Sequence, residues 1–267
     1  MGAFKTIIST LLVFATLQVS FAQKTVADIQ TPEGFTRIEA SGFAQYLQAL
    51  PLRPKGTPVR LYNGHRKIWQ GGAYRVVDME IGTKDLQQCA DAVIRLRAEY
   101  LWHNRKFSDI HFNFTSGFRA DYLKWAQGYR ISVSGNNVEW VKKALEDYSY
   151  ASFRKYLDVV FMYAGSASLS RELASCDKMD IRPGDVFIKG GHPGHAMIVL
   201  DVAVDRQGRK AILVAQSYMP AQDIHIVTNR SDTKHSPWYI FDSGTEEFNF
   251  PEWSFSADQI KRFNMTD

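Results

Sequence analysis

The chain is poor in cysteine, has no dense block of basic residues and, beyond its first residues, no long apolar run. Two cysteines, Cys89 and Cys176, stand in 267 residues. They admit at most one disulfide, or one reactive thiol and a bystander, and the count does not choose between them. The formal charge is only +4 and the Lys and Arg residues are scattered. That argues against nucleic acid as a partner and leaves room for a weak attraction to anionic envelope polymers. No segment after the N-terminus is apolar enough to span a membrane. No repeat or low-complexity linker divides the chain, so one domain is expected over residues 23–267. What is present is globular material: 45% of residues are hydrophobic and 13% aromatic.

The first 22 residues read as a secretory signal. Lys5 is followed by an apolar run from Ile7 to Val19, then by Ser20-Phe21-Ala22, a small-x-small exit before Gln23. No cysteine at the cut indicates a lipid anchor. Export to the periplasm or the extracellular space is the expectation.

Periodicity then gives the elements. The later part of Gly34 to Leu50 fits a short helix stopped by Pro51. Val59–Tyr62 and Tyr74–Ile81 read as strands. Leu86, Cys89, Val93, Leu96 and Tyr100 form one apolar stripe of a helix, with Asp85 and Gln88 spaced as a capping box and Thr83 an alternative cap. Arg95, Arg97 and Glu99 fall on a solvated or salt-bridged face. Ile110–Phe114 reads as a strand, Phe118–Trp125, Val138–Asp147 and Phe153–Tyr163 as helices, and Leu169–Ala174 as one more turn. From Pro183 the period becomes extended, with strands near 186–188, 196–204, 211–216, 224–228 and 238–241. Helices followed by a meandering antiparallel sheet predict an α+β fold.

One string concentrates chemistry. Gly184-Asp185 opens a strand, and Gly190-Gly191-His192-Pro193-Gly194-His195 makes a tight turn that sets His195 at the mouth of the next strand. A histidine held at the start of a rigid strand suits a general base. Its partner would be Cys89, whose ionisation a helix N-terminus and a nearby imidazolium would favour. Gln216 or Ser217, at the end of the following strand, would orient the imidazole, with Asp201 and His192 as rivals. Gln88 and the Cys89 N–H would face an oxyanion. His192 and His195, with Asp201 or His225, make a weak alternative start for a metal site, since they lack helical zinc-motif spacing. No cofactor is called for.

The order Cys on a helix, Gly-Asp, Gly-His and a hydrophobic strand, then a polar residue, resembles the papain-like NlpC and CHAP families, which cleave or transfer amide bonds, mostly in peptidoglycan. The resemblance implies a helix packed on an antiparallel sheet (about 183–242), with a helical insertion at about 101–180. It also implies Cys89 as nucleophile, preceded by Gln88 as in many CHAP domains, His195 as base, Gln216 as third residue, and Asp185 as a structural position. Leu86-Gln87-Gln88-Cys89-Ala90-Asp91, Arg95 to Tyr100 and His111-Phe112-Asn113-Phe114 resemble a family of exported bacterial proteins catalogued as domain of unknown function 4846. That likeness covers nearly the whole mature chain and implies no activity. The two expectations are an exported cysteine hydrolase or transferase acting on envelope peptides, and a non-catalytic protein binding a glycan or wall polymer through the same shell.

Overall fold

A computed structural model describes residues 24–135 and 137–264. The expected signal peptide lies outside the described residues. The described chain is α+β. A nine-stranded antiparallel sheet runs in the order Ala73–Val76, His225–Val227, Lys210–Gln216, His195–Val204, Val186–Lys189, Ile260–Arg262, Ala174–Ser175. Thr36–Arg37 adds to His195–Val204, and Tyr239–Phe241 adds to Lys210–Gln216. The sheet is therefore wider than the expected 183–242, drawing strands from both ends of the chain.

The two long central strands are buried on both faces, which is why they read as nearly continuous apolar runs. Ala196, Ile198 and Leu200 face one core; Met197, Val199 and Val202 face a second, smaller one. The first core is covered by helices α1 (Gly42–Gln48), α2 (Cys89–His103), α3 (Tyr122–Ala126), α4 (Tyr150–Tyr163) and α5 (Ser166–Glu172). The second is closed by the hairpin Glu247–Asn249/Ser254–Ser256, whose Phe248 and Phe255 meet Phe187 with ring centroids 4.9 and 5.7 Å away.

Helix α2 is not the one-sided helix its stripe predicts. Every residue from Ala90 to Leu101 is buried, Arg95, Arg97 and Glu99 included. The charged face is paired, not solvated: Arg95 donates to Glu99 at 2.6 Å and to the Gln87 carboxamide oxygen at 2.8 Å. The helix begins at Cys89, with Gln88 as N-cap, so neither Asp85 nor Thr83 caps it. The Gln88 N–H instead donates to Asp91 at 3.1 Å.

The stretch 101–180 is less helical than expected. It holds α3, α4 and α5, but also the hairpins His111–Asn113/Arg119–Asp121 and Tyr129–Ser134/Asn137–Lys142. The helix expected at Val138–Asp147 is thus a strand as far as Lys142 and irregular beyond it. Gly135, with φ of 59°, turns the chain back on itself there, and the exposure of the strand alternates. Val59–Tyr62 forms only isolated bridges, and the Tyr74–Ile81 strand is confined to Ala73–Val76.

Candidate active site

Cys89 and His195 each stand at the first position of a buried element, α2 and the central strand. Both open onto one groove of about 550 Å³, walled by α2, the start of α5, the 191–194 turn, Tyr218, Met219 and Trp253. A larger depression of about 670 Å³ at the Asp205 turn contains no cysteine or histidine. One glycine shapes the groove and another the packing of the strand that precedes it against α1. An atom added as Cβ to Gly194 would lie 2.3 Å from the Ser166 Oγ and 2.4 Å from the Gly191 carbonyl oxygen, so the turn fits against α5 only without a side chain. Gly184 has φ of 97° and leaves no room beside Phe43. Asp185, 1% exposed, accepts from Arg262 at 2.6 and 2.8 Å and from the Arg182 N–H.

The imidazole of His195 is fixed by a chain of hydrogen bonds. Its Nε2 lies 2.8 Å from the Gln216 Oε1. The Gln216 Nε2 donates to the Glu252 carboxylate at 2.7 Å, and the same oxygen takes the Lys67 ammonium at 2.6 Å. A carboxylate only accepts, so the amide group must face Glu252 and its oxygen must face His195. The ring therefore carries its proton on Nε2 and its lone pair on Nδ1. His225 agrees with this assignment. Its Nδ1 lies 3.0 Å from the Asp223 carbonyl and its Nε2 lies 3.5 Å from the Gln216 Nε2, so it donates to the first and faces the second with a lone pair.

Aromatic rings enclose His195. Tyr218, Trp253 and Phe255 lie 4.8, 5.2 and 6.1 Å away, centroid to centroid. Burial, with a smaller contribution from Lys67, holds its pKa down at about 4. Burial also pushes the Cys89 thiol up, as does the charge of Asp91, against the backbone N–H groups of Ala90, Ala196 and Cys89 itself. The N–H of Ala196, next to His195 in the chain, thus acts on the Cys89 sulfur. The expected imidazolium-assisted thiolate gives way to a neutral thiol and a neutral imidazole at pH 7.

The remaining expected residues fall as follows. His192 is exposed on the groove rim. Gln88 lines the groove, but its amide donates to Asp85 at 3.1 Å. Ser217 does not reach the groove: it is fully buried, with its hydroxyl 3.0 Å from the Gln87 carbonyl and 2.8 Å from that of Gln222. Asp201, the rival third residue, is taken by Arg37 at 2.6 Å and Gln48 at 2.7 Å. No cluster of three metal-ligating side chains occurs among the described residues. Cys89 and Cys176 are both free thiols. Burial and Asp185 push Cys176 up to about 12.

Sequence reasoning missed Glu252, Lys67, Tyr218 and Trp253. Glu252 and Trp253 arrive on the tip of the C-terminal hairpin, and no short-range pattern announces them. Tyr218 lay one residue beyond a position already singled out.

A family model described as a domain of unknown function (4846) matches residues 26–262. No curated protein and no solved structure gives a significant match.

Proposed function

The chain belongs to this family of unknown function, and we propose that it is a cysteine hydrolase or transferase acting on amide bonds. What supports the reading is that Cys89 and His195 open onto one groove while the Gln216 amide holds the His195 ring with Nδ1 unprotonated. A papain-like core accounts for this order of helix, strand and third residue.

In the proposed reaction the Cys89 sulfur bonds to the amide carbonyl carbon as His195 Nδ1 takes the thiol proton. The oxyanion is met by the Cys89 N–H, among the first N–H groups of α2, which have no partner within the helix. The C–N bond then breaks and the amine leaves with the proton from Nδ1. Water attacks the resulting thioester, giving its proton to the same nitrogen, and the acid departs as the thiol reforms. An incoming amine in place of water gives transfer. The sequence signature of export makes envelope peptides, peptidoglycan cross-peptides first, the substrate class.

The test is turnover of peptidoglycan fragments by the mature chain, with a thiol-directed acyl probe alongside. Cys89 should be labelled in the folded protein, and Cys89→Ala should be inactive. An unlabelled Cys89, or turnover that survives its loss, removes the enzyme reading. The raised thiol pKa favours a second reading, a binding protein in which the pair performs no chemistry. Saturable binding to wall polymer that is untouched by loss of both Cys89 and His195, without turnover, would support it.

A further inference from the structure

The groove carries an electrostatic bias opposite to that of the whole chain. Among the described residues its lining includes Asp85 and Asp91 but no Lys or Arg, although the chain is net positive. Lys67, the nearby cation, is already paired with Glu252 at 2.6 Å.

Asp91 is the unusual member. It is 6% exposed, and its Oδ2 is used by the Gln88 N–H at 3.1 Å. Its Oδ1 is buried and has no hydrogen-bond partner. Buried carboxyl oxygens are ordinarily paired, because an unmade bond there costs about 1–3 kcal/mol. Asp85 stands at the mouth, exposed, with Oδ1 taken by the Ala221 N–H at 2.6 Å and by Gln88.

From this arrangement we infer that the groove selects a substrate bearing a positively charged amine one or two residues from the bond attacked, with Asp91 and Asp85 as its anchors. The Asp91 carboxyl folds back to the N–H of Gln88, the residue before Cys89, which keeps the separation between amine and amide short. An anionic ligand would meet two carboxyl groups and no cation. The amine would also give the carboxyl of Asp91, which burial holds well above the usual range, a reason to ionise. Its charge would then offset that of Asp91, which opposes ionisation of the Cys89 thiol. The inference rests on the amide-cleaving reading only for the place of the scissile bond; the amine anchor itself needs no thiol.

The experiment therefore uses the full mature chain with Cys89→Ala, titrated calorimetrically at pH 7 with trialanine and with N-acetyltrialanine. Free trialanine should bind tighter by about tenfold or more, the size of one charge-assisted hydrogen bond. Asp91→Asn, which keeps an oxygen to accept the Gln88 N–H, should erase most of that preference. The exposed Asp85→Asn should reduce it without threatening the fold. Equal affinity for the two peptides, no binding of either, or a preference unchanged in both Asp variants would overturn the inference. A failed amine preference beside turnover that needs Cys89 sinks this inference alone; turnover that ignores Cys89 sinks the catalytic reading alone.

Discussion

Two buried polar networks lie on either side of the sheet. Inside the helical layer, Arg95 donates to Glu99, Gln87 and the Tyr150 hydroxyl, Tyr150 donates to Glu99 at 2.7 Å, and Glu80 bridges Arg95 to Arg154. That network reaches solvent at Glu80 and leaves the Gln87 Nε2 and the Arg154 Nη1 buried without a partner. The second runs Lys67–Glu252–Gln216–His195 and stops at a ring nitrogen on the groove. Both are largely buried and both have loose ends, yet only the second ends on a ring nitrogen that shares a groove with a thiol. The difference teaches that a buried polar network marks a site only where its loose end faces a second reactive group; without one it fixes the position of a helix.

Among substitutions, the comparison can be broken in order of expected effect on each network. Removing the thiol should act on chemistry and hardly on folding: Cys89→Ala should lower turnover at least ~10⁴-fold, while urea unfolding moves by about 1 kcal/mol or less. The helical network should behave the opposite way. Glu99→Gln strands a buried Arg95 and should cost about 3–5 kcal/mol in urea unfolding, and an unchanged midpoint would remove the distinction. Gln216→Ala frees the His195 ring and should reduce kcat/KM by ~10²-fold, with the loss concentrated in kcat. Glu252→Gln leaves the Gln216 amide able to face either way, and should cost about tenfold in kcat.

A further effect is one of pH, read on stability and not on turnover. His195 is held down at about 4 and His225 at about 3, so both are neutral when folded, while an unfolded histidine takes up its proton near 6.5. Their contribution is complete above that value. As pH falls from 6.5 toward 4, the unfolded chain binds protons that the folded one refuses, and stability drops by about 1.4 kcal/mol per pH unit per histidine. Urea midpoints should show this fall, and His225→Asn should make it shallower than in the parent chain.

Much of this arrangement is legible in the residues alone. Gly184-Asp185 and Gly194-His195 announce a strand, a turn and a poised ring, because tight turns demand glycine at fixed places. The central strands are legible because both faces are buried. The Val138–Lys142 strand is not, since Val138, Val141 and Leu145 also satisfy helical spacing. Asn137, which opens that strand, reads equally as a helix cap in the sequence. Glu252 is hidden for a different reason. It meets Gln216 across 36 residues, and nothing local in Pro251-Glu252-Trp253 points to a histidine. The burial of α2 on every side is equally silent, because paired Arg and Glu look the same on paper as solvated ones.

The hydrogen at Gly194 gives a way to sort other chains of this family without assaying them. A chain that keeps Cys89 and His195 but carries any side chain at position 194 must have retracted the start of α5 or shifted the ring, since Ser166 occupies the space a methyl group would need. Such a chain would have a wider or misaligned mouth. Position 194, chemically the blandest in the groove, becomes a marker of whether the two reactive residues still share one opening.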